Sequence, residues 1–388
     1  MEIAIFGEAD EQKATLSFST HRKNQFRYLQ TSNVEAIEFF YLRLWENFQR
    51  SCQTTISSRS DVWRWLIDFE DPEISVPEKA VESLSQLWKA LPFNWDSIAN
   101  LYKDQVRGSN LEFFKSYFKG ETEKVLEKIE MAASDGEFVV MDFGCGTGST
   151  IKAIAEFAYS PENTQQAITR NLRHILGVDD AALMIAESYR VREGLGSKGR
   201  EVSLWKLDIQ ELAEYIENGR ISSFPAGQDS RSVGIDRAIF ENCRKFGCLM
   251  NVLPNIPRIF RLPFLRRIAS TLSSGDQILV STYNGLRFGD FQRKVYGSIP
   301  NLTGAYENRL DLPASLRTYV NPERDFVSHW FTLHELELLV ESAGFKKVDS
   351  GYFPEDSSNR DDLQGVGVFV LARKSTGDES PHPNPPSA

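Results

Sequence analysis

Residues 138–149 read Phe-Val-Val-Met-Asp-Phe-Gly-Cys-Gly-Thr-Gly-Ser, and no other stretch limits the fold of this chain as tightly. An apolar run of β character ends in three glycines at alternate positions, and an apolar pattern of helical period follows over residues 150–158. A strand that turns through glycines directly into a helix lets the backbone lie close to a ligand and offers it the unpaired N–H groups of the helix start. The spacing predicts a nucleoside-like ligand at the end of a strand, with Gly144, Gly146 and Gly148 beneath it. Cys145, inside the turn, is expected to be a compact space-filler rather than a nucleophile.

From residue 137 onward, short β-rich runs alternate with helix-length spacers, at 138–143, 175–179, 202–207, 234–240, 277–282, 345–352 and 366–372. This alternation predicts an α/β fold, a doubly wound, Rossmann-like seven-stranded mainly parallel sheet over residues 134–374. The stretch 285–328, after the fifth run, is too long for a plain connection and is expected to be a structured lid over the carboxyl edge of the sheet. Residues 91–133 are expected to form a helical cap, broken at Gly108-Ser109-Asn110. Residues 1–90 read as a mainly helical extension. Ser32-Asn33-Val34-Glu35 matches a capping box ahead of the apolar stripe Ile37, Phe40, Leu44 and Phe48. Val81, Leu84 and Trp88 suggest another helix, Trp63, Trp65 and Phe69 an aromatic cluster, and the Pro-rich residues 375–388 a disordered tail.

Composition narrows the function. Four scattered cysteines give neither a disulfide framework nor a CxxC pair, so no metal is expected and a reducing, cytoplasmic setting fits. A net charge of −10 repels polyphosphate and argues against nucleic acid as the main partner. No apolar run reaches the ~18–20 residues of a membrane span, and no basic segment leads into an apolar stretch at the start, so neither secretion nor a membrane anchor is expected.

The turn also sorts cofactors. A dinucleotide fingerprint needs a third glycine where this chain has Ser149, and a phosphate-cradling P-loop needs a Gly-Lys-Ser/Thr ending that is not present. The pattern Asp142-x-Gly144-x-Gly146-x-Gly148 resembles instead the class I S-adenosylmethionine-dependent methyltransferases, over roughly residues 94–374. The resemblance implies that the turn lies under the methionyl part of S-adenosyl-L-methionine. It implies that Asp179, with Asp180 as the alternative, pairs with the ribose hydroxyls at the end of the second strand. Asp208 would accept from the adenine amino group, the backbone N–H of Ile209 would meet the ring, and Tyr102 would touch the methionyl end. The segments 275–284 and 330–345 resemble the fifth strand and the last helix of that family. The fourth strand matches less well: 235–240 reads as the strand, 241–245 as an insertion, and 246–251 as the loop and helix after it.

Methyl transfer is chiefly a matter of alignment and water exclusion, and aromatic faces steady the cationic sulfur. Phe246 and Tyr283 are the candidates for the substrate side, and His329, at the end of the lid, is the candidate base. The expected activity is methylation of an O or N atom of a small molecule, with a specialised metabolite as the first choice because added segments make enclosed pockets. The alternatives are a protein or peptide acceptor, a NAD(P)-dependent reductase on the same fold, and a scaffold without turnover.

Overall fold

The computed structural model describes residues 99–219, 234–306, 314–354 and 365–375, the backbone strands Glu2–Ile5 and Ala14–Ser17, and the single positions 66, 70, 81, 84, 85, 309 and 312. The capping box at 32–35, the stripe that follows it, the cluster at Trp63, Trp65 and Phe69, Trp88, and residues 376–388 lie outside the described residues. Within the stretch read as mainly helical, Glu2–Ile5 and Ala14–Ser17 pair antiparallel.

Seven strands form the main sheet: β1 Phe138–Phe143, β2 Leu172–Asp179, β3 Val202–Lys206, β4 Arg244–Met250, β5 Gln277–Tyr283, β6 Phe345–Phe353 and β7 Gly367–Lys374. Their order is β3-β2-β1-β4-β5-β7-β6, and only β7 runs against the others. The chain reverses its direction of travel across the sheet at β1, the switch point where open α/β sheets bind ligands beyond the carboxyl ends of their strands. Every residue of β1 is buried, as a strand covered on both faces requires.

Side chains alternate between two cores. Phe138 and Val140 face one, built with helices α1 (Glu112–Ala133), α2 (Ser149–Ala158) and α3 (Ala182–Gly194). Val139, Met141 and Phe143 face the other, built with α4 (Ile209–Glu217), α5 (Arg258–Thr271) and α7 (Leu333–Ser342). The sheet is the mainly parallel, Rossmann-like one expected, with a correction at its fourth strand. Residues 237–242 form a short helix, because the Asp236 side chain accepts from the Ala238 N–H and caps it. The strand lies at Arg244–Met250, across the end of the stretch expected as an insertion (241–245) and the one expected as loop and helix (246–251). Its charged first residues meet acids: the Lys245 ammonium lies 4.0 Å from Asp276, which also accepts from the Lys245 backbone N–H at 2.9 Å, and Arg244 pairs with Asp135 at 3.0 Å.

Between β5 and β6 the chain makes α6 (Phe288–Gly297), a short helix Pro300–Thr303, and a hairpin of Thr318–Asn321 with Phe326–His329. It returns to the sheet edge at Phe331, whose N–H donates to the Tyr283 carbonyl while its own carbonyl accepts from Gly285 at 2.7 Å. Glu70, from the N-terminal segment, is buried against the start of α5. It accepts from the Arg258 N–H at 2.8 Å and from Arg261 at 3.1 Å.

A Cβ on Gly285 would lie 2.5 Å from the Trp330 carbonyl oxygen, a backbone atom held by the sheet-edge pairing. Gly285→Ala is therefore expected to lower stability by ~1–3 kcal/mol. A lower urea midpoint at unchanged m-value would register it. An unshifted midpoint would mean that the two segments are not held this closely.

Candidate functional site

The glycine turn is built by three left-handed residues, Gly144 (φ 71°), Gly146 (φ 54°) and Gly148 (φ 80°), a conformation that costs any L side chain. Gly144 and Cys145 both donate to the Val178 carbonyl of β2, at 2.8 and 3.0 Å, so the turn folds over the neighbouring strand. The glycines serve different ends. A Cβ on Gly144 would strike the Val252 side chain at 2.6 Å, and one on Gly148 would press on Ser188 at 3.0 Å, whereas one on Gly146 would meet nothing within 4 Å. Two of them make room for packing, and Gly146 opens its backbone to space. Helix α2 starts at Ser149 with no side-chain cap, leaving its first N–H groups to this same corner. Cys145 is buried, with Sγ 4.0 Å from Ser188 Oγ, and burial together with Asp179 and Asp142 pushes its thiol well above the usual range. It is a packing residue.

Three acids mark the ends of three adjacent strands. Asp179 closes β2: one carboxylate oxygen accepts from Gly146 N–H at 2.8 Å and the other from Ala181 N–H at 3.0 Å. Asp208 follows β3 and caps α4, its Oδ1 accepting from Gln210 at 2.6 Å and Glu211 at 2.8 Å, with Ile209 as the first helical residue. Asp142, next to last in β1, is 1% exposed, and its Oδ2 has no hydrogen-bond partner among the described residues. Tyr102 lies at the start of a π-helix, Tyr102–Arg107, and packs against Ala99, Ala181 and Met184 beside the end of β2. Turns of this rare kind gather at functional sites. Thus the sequence-predicted Tyr102, Asp142, Gly144, Cys145, Gly146, Gly148, Asp179, Asp208 and Ile209 share one edge of the sheet.

Three further residues come to that edge that the sequence reading passed over. Glu121, buried on the sheet-facing side of α1, accepts from the Tyr117 hydroxyl at 2.9 Å and from Ser281 at 2.6 Å. Arg107 approaches Glu121 at 3.7 Å and lies over the Phe118 ring at 3.9 Å. Burial opposes the guanidinium charge, but Tyr102 and Glu121 outweigh it and hold Arg107 more firmly protonated. Asn251, the first residue after β4, is buried, and its backbone N–H donates to the Ser281 carbonyl at 3.0 Å. Glu121 and Arg107 had no sequence signal that separates them from a solvated helix face. Asn251 was hidden by the misplaced fourth strand.

The candidates for the acceptor side fall in different places. Tyr283 ends β5 at this edge, packed on Tyr117 (ring centroids 4.6 Å apart), Trp330 (5.1 Å) and Phe113 (5.5 Å). Phe246 pairs with Val140 and Gln277 in the middle of the sheet and is buried in the core beneath α1, four residues before the strand's end. His329 is buried in the hairpin with Nδ1 2.8 Å from Thr318 Oγ1 and Nε2 2.8 Å from Glu335. Burial and the nearby Arg261 lower its pKa. Nδ1 bonds across the hairpin and Nε2 fastens it to the start of α7, so both ring nitrogens are engaged.

No family model matches the chain, and no curated protein matches it by sequence. Solved structures do show likeness. 1,6-Didemethyltoxoflavin-N1-methyltransferase from Burkholderia thailandensis is 17% identical, over 74% of this chain and 92% of that one, with a TM-score of 0.36. Magnesium protoporphyrin IX methyltransferase from Synechocystis PCC 6803 is 13% identical, over 72% and 96%, with a TM-score of 0.41. The small RNA methyltransferase HEN1 is 14% identical, over 67% of this chain and 26% of that one, also at 0.41. Likenesses of this strength assign neither activity nor substrate to the chain.

Asp142 ties the site to pH. Burial first, then Glu121 and Asp179, push its carboxyl from 3.8 up to about 8, against the opposing pull of Arg107. The folded chain therefore binds one more proton than the unfolded chain between pH 3.8 and about 8. Stability from this group is complete below that window and is lost as pH rises through it, by at most ~1.4 kcal/mol per pH unit. Asp142→Asn should remove this slope. Urea midpoints from pH 5 to 9 are expected to fall less for the variant than for the parent chain, and parallel profiles would refute the assignment.

Proposed function

We propose that this protein is an S-adenosylmethionine-dependent methyltransferase acting on an O or N atom of a small molecule, with a specialised metabolite as the first candidate. The single observation that carries the reading is the turn at Gly146. Its backbone is open to space and its N–H is bound to Asp179, and the strand leading into it carries the buried Asp142, whose Oδ2 has no partner among the described residues.

The residues present suit that cofactor. Gly144–Gly148 and the start of α2 would lie beneath the methionyl part, with Tyr102 closing over it. Asp179, fixed by two backbone N–H groups, would take the ribose hydroxyls, and Asp208 with the Ile209 N–H would meet the adenine. When bound, the sulfonium supplies an electrophilic methyl group. A positive charge near Asp142 favours the carboxylate over the acid, so binding should release a proton below pH 8. Arg107 and Glu121 form a fixed ion pair above the strand ends, and the aromatic side chains of Phe113, Tyr117, Tyr283 and Trp330 keep water from the β5 side. His329 is assigned no part in the chemistry.

A small acceptor is favoured because α1 and the β5–β6 segment both pack over the carboxyl edge. Trp330 lies against Phe113 of α1 (5.1 Å) and Phe288 of α6 (5.6 Å). The net charge of −10 disfavours a polyanionic acceptor.

Calorimetry with S-adenosylhomocysteine tests the reading. The parent chain should bind it, and Gly146→Ala should weaken binding at least tenfold, because the added methyl points into the space the ligand needs. The same substitution should cost only ~1–2 kcal/mol of stability, from the left-handed φ. No heat from the folded parent chain, or an unchanged affinity in the variant, would defeat it.

A further inference from the structure

Two successive residues of α3 reach two different parts of the candidate site. Ser188 is buried, and its hydroxyl donates to the Gly146 carbonyl at 2.7 Å. Glu187, also buried, accepts from the Lys103 ammonium at 3.0 Å, across to the π-helix Tyr102–Arg107. Residues three and four apart share one face of a helix, so Met184, Glu187 and Ser188 form a single strip along α3. Tyr102, the neighbour of Lys103, packs near the start of that strip, on Ala181 and Met184. One face of α3 therefore holds the glycine turn with one residue and the π-helix with the residue before it.

The two ends of the π-helix are held differently. At its last turn Val106 is buried in the core beneath α1, and Arg107 lies over the Phe118 ring and beside Glu121, both on α1. At its first turn the Lys103 side chain is 52% exposed, against 8% for Glu187. Glu187 has a second cation: Arg190, three residues on in α3, pairs with its other carboxylate oxygen. Releasing Lys103 thus strands no buried charge, because Lys103 returns to water it already touches and Glu187 keeps Arg190. The Arg261–Glu70 pair, buried on both sides, has no such freedom. A pair with one wet partner is a weak bond, enough to hold a surface turn in place and light enough to open.

We propose that Glu187 is a positioning residue that acts through Lys103: it latches Tyr102 over the ligand at the glycine turn, and opening of the latch sets how fast that ligand leaves. The proposal rests on the methyltransferase reading, in which Tyr102 closes over the methionyl end, and adds a rate to it. The π-helix opens at its Lys103 end and pivots at its Arg107 end, where Val106 anchors it in the core. Ser188 stays bonded to Gly146 throughout, so the turn keeps its shape while the way out clears. The latch is electrostatic and half in water, so salt weakens it.

Surface plasmon resonance on the immobilised full-length chain separates the association and dissociation rates of S-adenosylhomocysteine. K103M removes the charge and keeps most of the stem, E187Q keeps the shape and removes the acid, and R190M takes away the cation that does not reach the π-helix. K103M and E187Q should release the ligand at least ~threefold faster than the parent chain, and R190M at the parent's rate. The urea midpoint of K103M should match the parent's, which separates a latch from a general loosening of the fold. Raising sodium chloride to ~0.5 M should speed release from the parent chain and leave K103M unmoved. A smaller acceleration in K103M, or an equal one in R190M, overturns the latch. A folded parent chain that gives no signal with S-adenosylhomocysteine overturns the cofactor reading and this proposal with it, whereas failure of the latch alone shows as parent and variants that bind and release at one rate.

Discussion

The carboxyl edge of this sheet depends on how closely the glycine turn is bound to the end of β2. Gly144 and Cys145 share the Val178 carbonyl, and Gly146 donates to Asp179. These bonds hold the turn over a neighbouring strand rather than above its own, which brings α2 down onto β2. The strand has made way for it. A Cβ at Gly177 would meet Ile151 at 2.4 Å and Cys145 at 3.1 Å, so a glycine is required inside β2 as well as after β1. Local backbone chemistry and core packing therefore agree on one arrangement, and that agreement marks a well-specified element.

Around this fixed corner the molecule tolerates groups that folding alone would reject. Among the described residues, a buried carboxyl oxygen without a partner (Asp142 Oδ2), a buried amide oxygen without one (Asn251 Oδ1), and a left-handed backbone at that same Asn251 occur within one set of adjoining strand ends. The burial that makes them costly comes from aromatic packing close by. Tyr117, Tyr283, Phe113 and Trp330 form a continuous layer between α1 and the β5–β6 segment. The same layer that stabilises the fold lowers the local dielectric, and so raises the cost of each unpaired polar group and strengthens any later pairing with a ligand.

How much of this was legible in the sequence varies by element. β1, β2, β3, β5 and β7 were readable because each carries an apolar, β-prone run, and the more polar β6, Phe345–Phe353, because it follows the helix pattern at Ala343-Gly344. β4 was not. Its first residues are Arg244 and Lys245, and an apolar stretch just before it, ending at Phe240, imitates a strand but is capped as a helix by Asp236. Lys245 is buried with its ammonium 4.0 Å from Asp276, and the partly exposed Arg244 pairs with Asp135, both acids being distant in sequence. The glycine turn and its acids were legible because φ demands and strand ends leave a local signature. Glu121 and Arg107 were not, since a charged residue on an amphipathic helix looks the same whether it faces water or a chamber. His329 shows the converse: a histidine in a suggestive place whose ring nitrogens are already spoken for.

Glu70 has a consequence for what counts as one folding unit. Its carboxylate meets the Arg258 N–H and the Arg261 guanidinium at the start of α5, and Arg261 in turn lies over Phe331, where the β5–β6 segment rejoins the sheet. A chain without Glu70 would strand that guanidinium in the interior, a loss of ~3–5 kcal/mol for a buried pair broken on one side. Glu70 thus belongs to the same buried network as the start of α5 and the sheet edge at Phe331, however far from them it lies along the chain.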